Sequence, residues 1–441
     1  MSKKRDTKNA PLRGLVGALY PTPTQQKELT KVFGCARFVF NQYISYRQWE
    51  FEHGYTGDKK TPYSEVRSLI TVNNKKTQYP WLGEVSSIVL QNAVQQADDA
   101  YRNMVARRSE KKKASMPRRK KNGTQSFRIT GTRAIKIRFV DEKRHRGHVY
   151  IPKIGWIKFH CGLTFDPGTV SSYTVKQHRD GSFAISFTLP QEEKFHDSDV
   201  ADVGGFDVGL ATLVAGSDSN GNRWVIDPPK FYRKSQRKIA RRLREVSRKK
   251  KGSSNRKKAV RKLAKQHRKV KNQRTNYLHQ TSTMMASKNH AVAMETLNVA
   301  GMARNRKLAK SIYDASWSTL KRFVEYKCVQ RGGVFVQVDQ FVPSSQTCCV
   351  CHVNDGKKGL SVRQWTCSNG HVLDRDLNSG TFLIDAGGYS ESLNASGEDI
   401  RRLLSAPLSL VKEEYFCTDY IQAAGDNPWL RIYSLKKKPL P

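Results

Sequence analysis

The chain has 441 residues, a formal net charge of +41 and a pI near 10.1. So large a Lys/Arg excess repels itself in a compact fold unless a polyanion neutralises it, which points to nucleic acid. No run of about 20 apolar residues is present, which excludes a transmembrane helix. No apolar signal segment follows Met1-Ser-Lys-Lys-Arg-Asp6, so a cytoplasmic protein with no membrane partner is expected. Ribosomal or chromatin-type binding is the plainer alternative, but such chains are seldom this long or this rich in aromatic residues.

Residues 12–20 read as a first strand, closed by Pro21-Thr-Pro23. From Thr24 the spacing of Leu29, Val32, Phe33, Phe38, Val39, Phe40 and Tyr43 is helical, and Leu82, Val85, Ile88, Val89, Val94 and Ala97 repeat the pattern. A basic segment, 107–121, follows. Strand patterns then dominate: 135–139, 148–151, 155–159, 171–175 and 183–189, the last two joined by an Asp180-Gly181 turn. This predicts a small β-barrel with a helical insertion.

Phe206–Ala215 and Arg223–Ile226 read as strands joined through Ser219-Asn-Gly221. A helical stretch dense in Lys and Arg runs from Phe231 to Asn276, with Glu245 as its only acid. Gly252-Ser-Ser254 divides it into a hairpin with apolar stripes Ile239/Leu243/Val246 and Val260/Leu263/Val270. Its one-sided charge favours a phosphate-tracking surface over a merely solvated face. A strand (Ala291–Glu295), a helix (Ser316–Gln330), a strand (Val334–Val338) and an acid-bearing helix complete an RNase H-type α/β order.

Eight cysteines are present. Cys35, Cys161, Cys328 and Cys417 stand alone and read as buried free thiols. Cys348, Cys349, Cys351 and Cys367 crowd together, which in a reducing compartment indicates metal ligands. Cys348-x2-Cys351 is half of a zinc knuckle and Cys367 supplies a third thiolate. Ser368 and Asn369 stand where a fourth cysteine is expected. His371 is the candidate replacement, with His352 and Cys349 as poorer ones and a metal-free knuckle held by packing as the alternative.

Asp207, Glu295 and Asp376 are the candidate catalytic acids. Phosphodiester hydrolysis with two Mg²⁺ ions needs carboxylates of this kind at strand ends and a helix start. Asp207 is expected mid-strand, with Gly205 and Gly209 admitting a nucleic-acid backbone. Glu295 is expected at a strand end, and Asp376 at the start of the last helix, with Asp374 pointing elsewhere.

The chain resembles the TnpB family of transposon-encoded proteins, relatives of the Cas12 effectors. The matching phrases are Leu19-Tyr-Pro-Thr-Pro, Phe33-Gly-Cys-Ala-Arg-Phe-Val-Phe-Asn41, Trp81-Leu, Leu90-Gln91 and Ile151-Pro-Lys-Ile-Gly155. Phe206-Asp-Val-Gly209, Glu295-Thr-Leu, Pro343-Ser-Ser-Gln-Thr-Cys348, Trp365-Thr-Cys367 and Asp374-Arg-Asp-Leu-Asn378 continue the match. Two departures are the missing cysteine and Asn378-Ser-Gly380 in place of the family's Asn-Ala-Ala, which is expected to loosen the first turn of that helix.

The resemblance implies a multidomain α+β protein. A wedge β-barrel (1–30 and 125–200) would hold a helical recognition domain (31–124). A RuvC nuclease domain (201–347, with the basic hairpin 231–276) would be interrupted by a zinc-knuckle insertion (348–372) and resume at 373–388, before a flexible tail (389–441). It implies a guide RNA from the transposon end, a double-stranded DNA target opened beside a short adjacent motif, two Mg²⁺ at Asp207, Glu295 and Asp376, and a structural Zn²⁺. Motif contacts carry over to Tyr63, Ser87, Ile88, Gln91 and Thr130. The expected activity is guided DNA cleavage by one site acting on both strands in turn. A Cas12-type effector guided from a CRISPR array, a guide-bound repressor and a DNA-joining transposase are the rival readings.

Overall fold

The computed structural model describes residues 12–55, 59–110, 113–121, 125–131, 134–191, 203–219, 221–359 and 361–388. The expected tail, Cys417 and Asn220 lie outside these. The described residues fall into two compact units: those of 12–191 with 252–265, and those of 203–251 with 266–388. None of the described helices is long and apolar enough to cross a membrane.

In the first unit, β1 (Leu12–Tyr20) leads into α1 (Pro23–Glu52). The entry is fixed by a reciprocal cap in which the Gln25 N–H donates to Thr22 Oγ1 and the Thr22 N–H to Gln25 Oε1. Then come α2 (Tyr63–Ser68), a π-turn, the short α3 (Asn74–Thr77), a 3₁₀ turn and α4 (Ser87–Ser109). Strands β2 (Gln125–Thr130), β3 (Ile137–Asp141), β4 (Arg146–Ile151), β5 (Gly155–His160), β6 (Ser172–Gln177) and β7 (Phe183–Pro190) join β1 in one antiparallel sheet of order β2-β6-β7-β1-β5-β4-β3. The helices bury Phe33 against Phe127 and Phe183 of that sheet, with centroids 5.4 and 6.4 Å apart.

The second unit is built on a five-stranded sheet of order β10-β9-β8-β11-β12. Its strands are β8 (Val203–Asp207), β9 (Val214–Asp218), β10 (Arg223–Ile226), β11 (Ala291–Glu295) and β12 (Val334–Val338). The first three form an antiparallel meander, and β11 and β12 run parallel to β8. Helices α5 (Phe231–Ser247), α6 (Ser254–Lys288, of which residues from 266 on belong to this unit), α7 (Val299–Met302), α8 (Ala309–Ala315) and α9 (Trp317–Gln330) follow in the connections. A small hairpin, β13 (Gln364–Thr366) and β14 (Val372–Asp374), precedes α10 (Arg375–Gly388).

Four expectations need correcting. Phe206–Ala215 is two antiparallel strands, because residues 208–213 turn back with the Gly209 N–H on the Leu213 carbonyl. Asp207 therefore ends β8 and does not lie mid-strand. The second basic helix continues past Asn276 to Lys288, since Tyr277, Leu278, Met285 and Ala286 are buried along it. Leu243 and Val260 are exposed, so the apolar stripes rest on Ile239, Val246 and Val270, together with Ala259.

Candidate active site and metal cluster

Alternation along the strands decides which face each acid shares. Phe206, Val292 and Met294 belong to the core beneath α6 and α9. Val203, Ala291 and Ala293 face the other way, against Ile384 and Leu383 of α10. Asp207 and Glu295 continue this second set by two-residue steps, so both lie on the α10 face at the ends of neighbouring parallel strands. The register pairs Met294 with Phe206 and Glu295 with Val338.

The helix is brought down by glycine. A Cβ at Gly380 would stand 2.4 Å from the Ala215 carbonyl oxygen, and one at Gly205 would stand 2.2 Å from the Gly380 carbonyl oxygen. Gly205 thus admits α10 and not a nucleic-acid backbone, while Gly209 closes the β8–β9 turn against Thr212. Gly380 lies over Gly205 and Ile384 packs with Val203, so α10 runs antiparallel to β8. Its start, carrying Asp376, therefore projects toward the strand end that carries Asp207.

Asp374 ends β14, and its Oδ1 accepts the N–H groups of Asp376 and Leu377 at 3.0 Å each. It caps the helix in whose first turn Asp376 lies. Far from being loose, the first turn is pinned. Asn378 is buried, donates to the Thr347 carbonyl at 2.8 Å and accepts the Cys349 N–H at 2.8 Å. Ser379 bonds Ser344 at 2.8 Å.

The three acids share one electrostatic field. Burial, then the Asp376 charge, pushes Asp207 up to about 6, although the Val208 N–H on its Oδ1 acts the other way. Burial, then the Asp207 charge, pushes Glu295 up to about 7. Asp376 is half-exposed and held by Arg363, whose Nη1 lies 3.2 Å from both carboxylate oxygens. A cation would stabilise the ionised forms of Asp207 and Glu295, whose pKa values burial and a neighbouring carboxylate raise, and hard oxygen donors suit Mg²⁺.

A second cluster is more tightly gathered. Ligand atoms of Cys348, Cys351, Cys367 and His371 all lie within 4.8 Å of one another, which is not so of the three acids. Cys367 follows β13 and His371 precedes β14. The turn between them, with Gly370 at φ +83°, closes through the Cys367 N–H on the His371 carbonyl. Cys367 Sγ is 3.8 Å from Cys351 Sγ and 3.2 Å from His371 Nδ1. Sulfurs around a tetrahedral zinc stand about 3.8 Å apart, so this set fits zinc. Neither poorer candidate joins it: Cys349 is buried with its N–H on Asn378, and His352 lies 3.9 Å from Asp385. Ser368, where a cysteine was expected, bonds Asp355.

Four of the expected motif contacts fall together in the first unit. Ser87 and Gln91 are exposed one turn apart on α4, Ile88 packs into the core beside them, and Thr130 donates to Asn92 at 2.8 Å. Tyr63 stands apart, its ring 5.9 Å from the guanidinium of Arg102, which lies three turns further along α4. Arg363, Asn378 and Gly380 were missed as site-shaping residues. Only the proximity of Asn378 and Gly380 to Asp376 could have flagged them.

An antiparallel three-strand meander continued by two parallel strands, with acids at strand ends and a helix start, is an RNase H-like (RuvC) arrangement. Residues 190–306 match a transposon family (OrfB, IS605) described as "Probable transposase", and 317–381 match "Cas12f1-like, TNB domain". Residues 13–55 match a "Helix-turn-helix domain", although here they form β1 and the single long helix α1. A "Putative RNA-guided DNA endonuclease" of Streptomyces pristinaespiralis is 32% identical over 388 residues, 87% of this chain and 90% of that one. The "Putative RNA-guided DNA endonuclease InsQ" of Escherichia coli K12 is 29% identical over 415 residues, 89% of this chain and 97% of that one. A chain of a Cas12f1–sgRNA–target DNA complex shares the fold, with TM-score 0.54 and 14% identity over 82% of this chain and 83% of that one. The chain belongs to the TnpB family.

Proposed function

We propose that this protein is a transposon's RNA-guided DNA endonuclease, cutting double-stranded DNA beside a short adjacent motif. The observation that carries this reading is the convergence of Asp207, Glu295 and Asp376 on one face of the sheet beneath the start of α10. In this reading the first unit comprises the wedge and recognition parts, and the second the RuvC site with its zinc insertion.

Asp207, Glu295 and Asp376 would hold Mg²⁺, which when bound supplies an activated water and charge stabilisation for phosphodiester hydrolysis. Asp207 is pre-oriented by the Val208 N–H, and Asp376 by its place in the capped first turn. Cys348, Cys351, Cys367 and His371 would hold a structural zinc that fixes the hairpin ahead of α10. The exposed cations of α5, among them Arg237, Lys238, Arg241 and Arg244, suit the phosphates of a guide RNA transcribed from the transposon end or of its duplex with DNA. Glu245 is already paired with Arg242 at 2.8 Å.

The test is cleavage of guide-matched DNA with and without Mg²⁺ by the wild type and by Asp207→Ala, Glu295→Ala and Asp376→Ala. Guide-dependent cutting that each variant loses while keeping target binding supports the reading. Cutting that survives all three substitutions refutes it.

A further inference from the structure

The second unit contains a cavity that none of the roles above uses. It has a volume of about 230 Å³, with apolar walls from Leu210, Pro228, Pro229 and Ala315 and with Lys230 and Arg233 among its lining residues. That is several times the roughly 30 Å³ share of one water. It is also smaller than the ~300–1,000 Å³ of pockets for drug-sized ligands, so it suits a single planar ring with a short polar appendage.

Its place in the fold is specific. Strands β8, β10, β11 and β12 all end at one edge of the sheet, because β9 alone is antiparallel to them. Asp207 and Glu295 end β8 and β11 at that edge. Leu210 follows Asp207 by three residues, and so lies within about 11 Å of it. Pro228 and Pro229 leave the end of β10, two strands from β8, about 10 Å away at normal strand spacing. Leu210 and Ala315 pack with the core on the sheet face opposite the acids, so the cavity opens around the same strand-end edge, within a few nucleotides of a phosphate held at the acids.

The charge is of the right sign. The one acid in the lining, Asp314, is already satisfied: it accepts the Tyr232 N–H at 3.0 Å and the Arg274 guanidinium at 2.9 Å. Lys230 and Arg233 are both exposed, Arg233 donating to Ser311 at 2.7 Å. The backbone bordering the cavity is also held in the left-handed region at two non-glycine residues, Lys230 (φ +50°) and Ser316 (φ +57°). Such strain persists where the surroundings over-determine it.

We propose that this cavity is a nucleotide subsite for the strand cut at the carboxylates, taking one base between its proline and leucine walls and the adjoining phosphate against Lys230 and Arg233. It rests on the nuclease reading for its substrate, and its consequence is that one position beside the cut is held individually.

The test uses the guide-loaded Asp207→Ala protein with target DNA bearing 4-thiothymidine at successive positions around the cut. Photocrosslinks are mapped to peptides, and guided cutting by the wild type is measured on the same DNA. Crosslinks from one or two adjacent positions to residues 228–233 or 311–315 are expected. Adding Arg233→Glu should weaken them about tenfold, the cost of losing one charge-assisted contact. Ala315→Trp, which fills the cavity, should do the same, and the surface variant keeps the test valid if the tryptophan disturbs folding. Cutting with no crosslink to these peptides, or crosslinks indifferent to Arg233→Glu, overturns the subsite alone. Crosslinks to the cavity without guided cutting would keep it as a nucleotide-binding site and remove the nuclease reading.

Discussion

Asn378 joins the candidate active site to the Cys/His cluster: its side-chain oxygen accepts the backbone N–H of Cys349, 2.8 Å away, between the candidate ligands Cys348 and Cys351. The same amide donates to the carbonyls of Thr347 and Ser344 at 2.8 and 3.3 Å. Asp376 lies two residues ahead of Asn378, so the order of the knuckle and the position of the carboxylate depend on one side chain.

Asn378→Ala would leave a buried N–H and two carbonyls without partners, a loss of about 1–3 kcal/mol. The expected outcome is a lower melting temperature, faster zinc release to a chelator and weaker cutting at saturating Mg²⁺. Thermal unfolding and a zinc-binding dye measure the first two directly. Zinc chelation of the wild type should reproduce the loss of stability.

Arg363 and a cation compete for the same carboxylate, since its guanidinium lies 3.2 Å from both oxygens of Asp376. Arg363→Ala should therefore lower the Mg²⁺ concentration that half-saturates the site. Melting temperature against Mg²⁺ concentration reads this without any turnover. An unchanged midpoint would mean that Arg363 yields at no cost.

The raised acids set a pH dependence with a defined sign. Asp207 near 6 and Glu295 near 7 are protonated more readily in the folded protein than in the unfolded chain. In the metal-free protein their contribution to stability is thus full below pH 4 and is lost as pH rises through 6 to 7. Asp207→Asn should stabilise the metal-free protein at pH 8 by an amount on the order of 1–3 kcal/mol, read as a higher melting temperature, and should do little at pH 4, while cutting is lost. Wild-type cutting at limiting Mg²⁺ should climb between pH 6 and 8, as the carboxylates ionise and bind the ion.

Gly380→Ala restores the alanine expected of the family but should be destabilising here. The added methyl would meet the Ala215 oxygen at 2.4 Å and Gly216 Cα at 2.5 Å. Both are backbone atoms that cannot step aside, and overpacking of this kind costs about 1–3 kcal/mol. Melting temperature and cleavage should fall together, because the helix that lifts away carries Asp376.

Much of this was legible in the sequence because it lies in local pattern. Glu295 at the end of an apolar run and Asp376 at the start of the last helix were legible in position, and the Cys367-x3-His371 spacing pointed to the side chain that joins the three cysteines. Position of Asp207 was less legible: the apolar residues 208–213 look like strand, and only the close Gly209–Leu213 pairing reveals the turn. Gly205 and Gly380 were misread for a related reason. Gly205 makes room for Gly380, and Gly380 for Ala215 and Gly216, across more than 160 residues of chain, and no local pattern reports such a contact. The exposure of Leu243 and Val260 was hidden likewise, since helical spacing gives the stripe but not the neighbours that cover it.

The most direct test of the central claim is plasmid cleavage by the protein co-expressed with RNA transcribed from its transposon end, on a library randomised beside the guide-matched sequence. Cuts confined to plasmids that carry the matched sequence and one short adjacent motif, and lost in Asp207→Ala, are the predicted result. Guide-dependent binding to the same plasmids with no cut by the wild type at any Mg²⁺ concentration would contradict it.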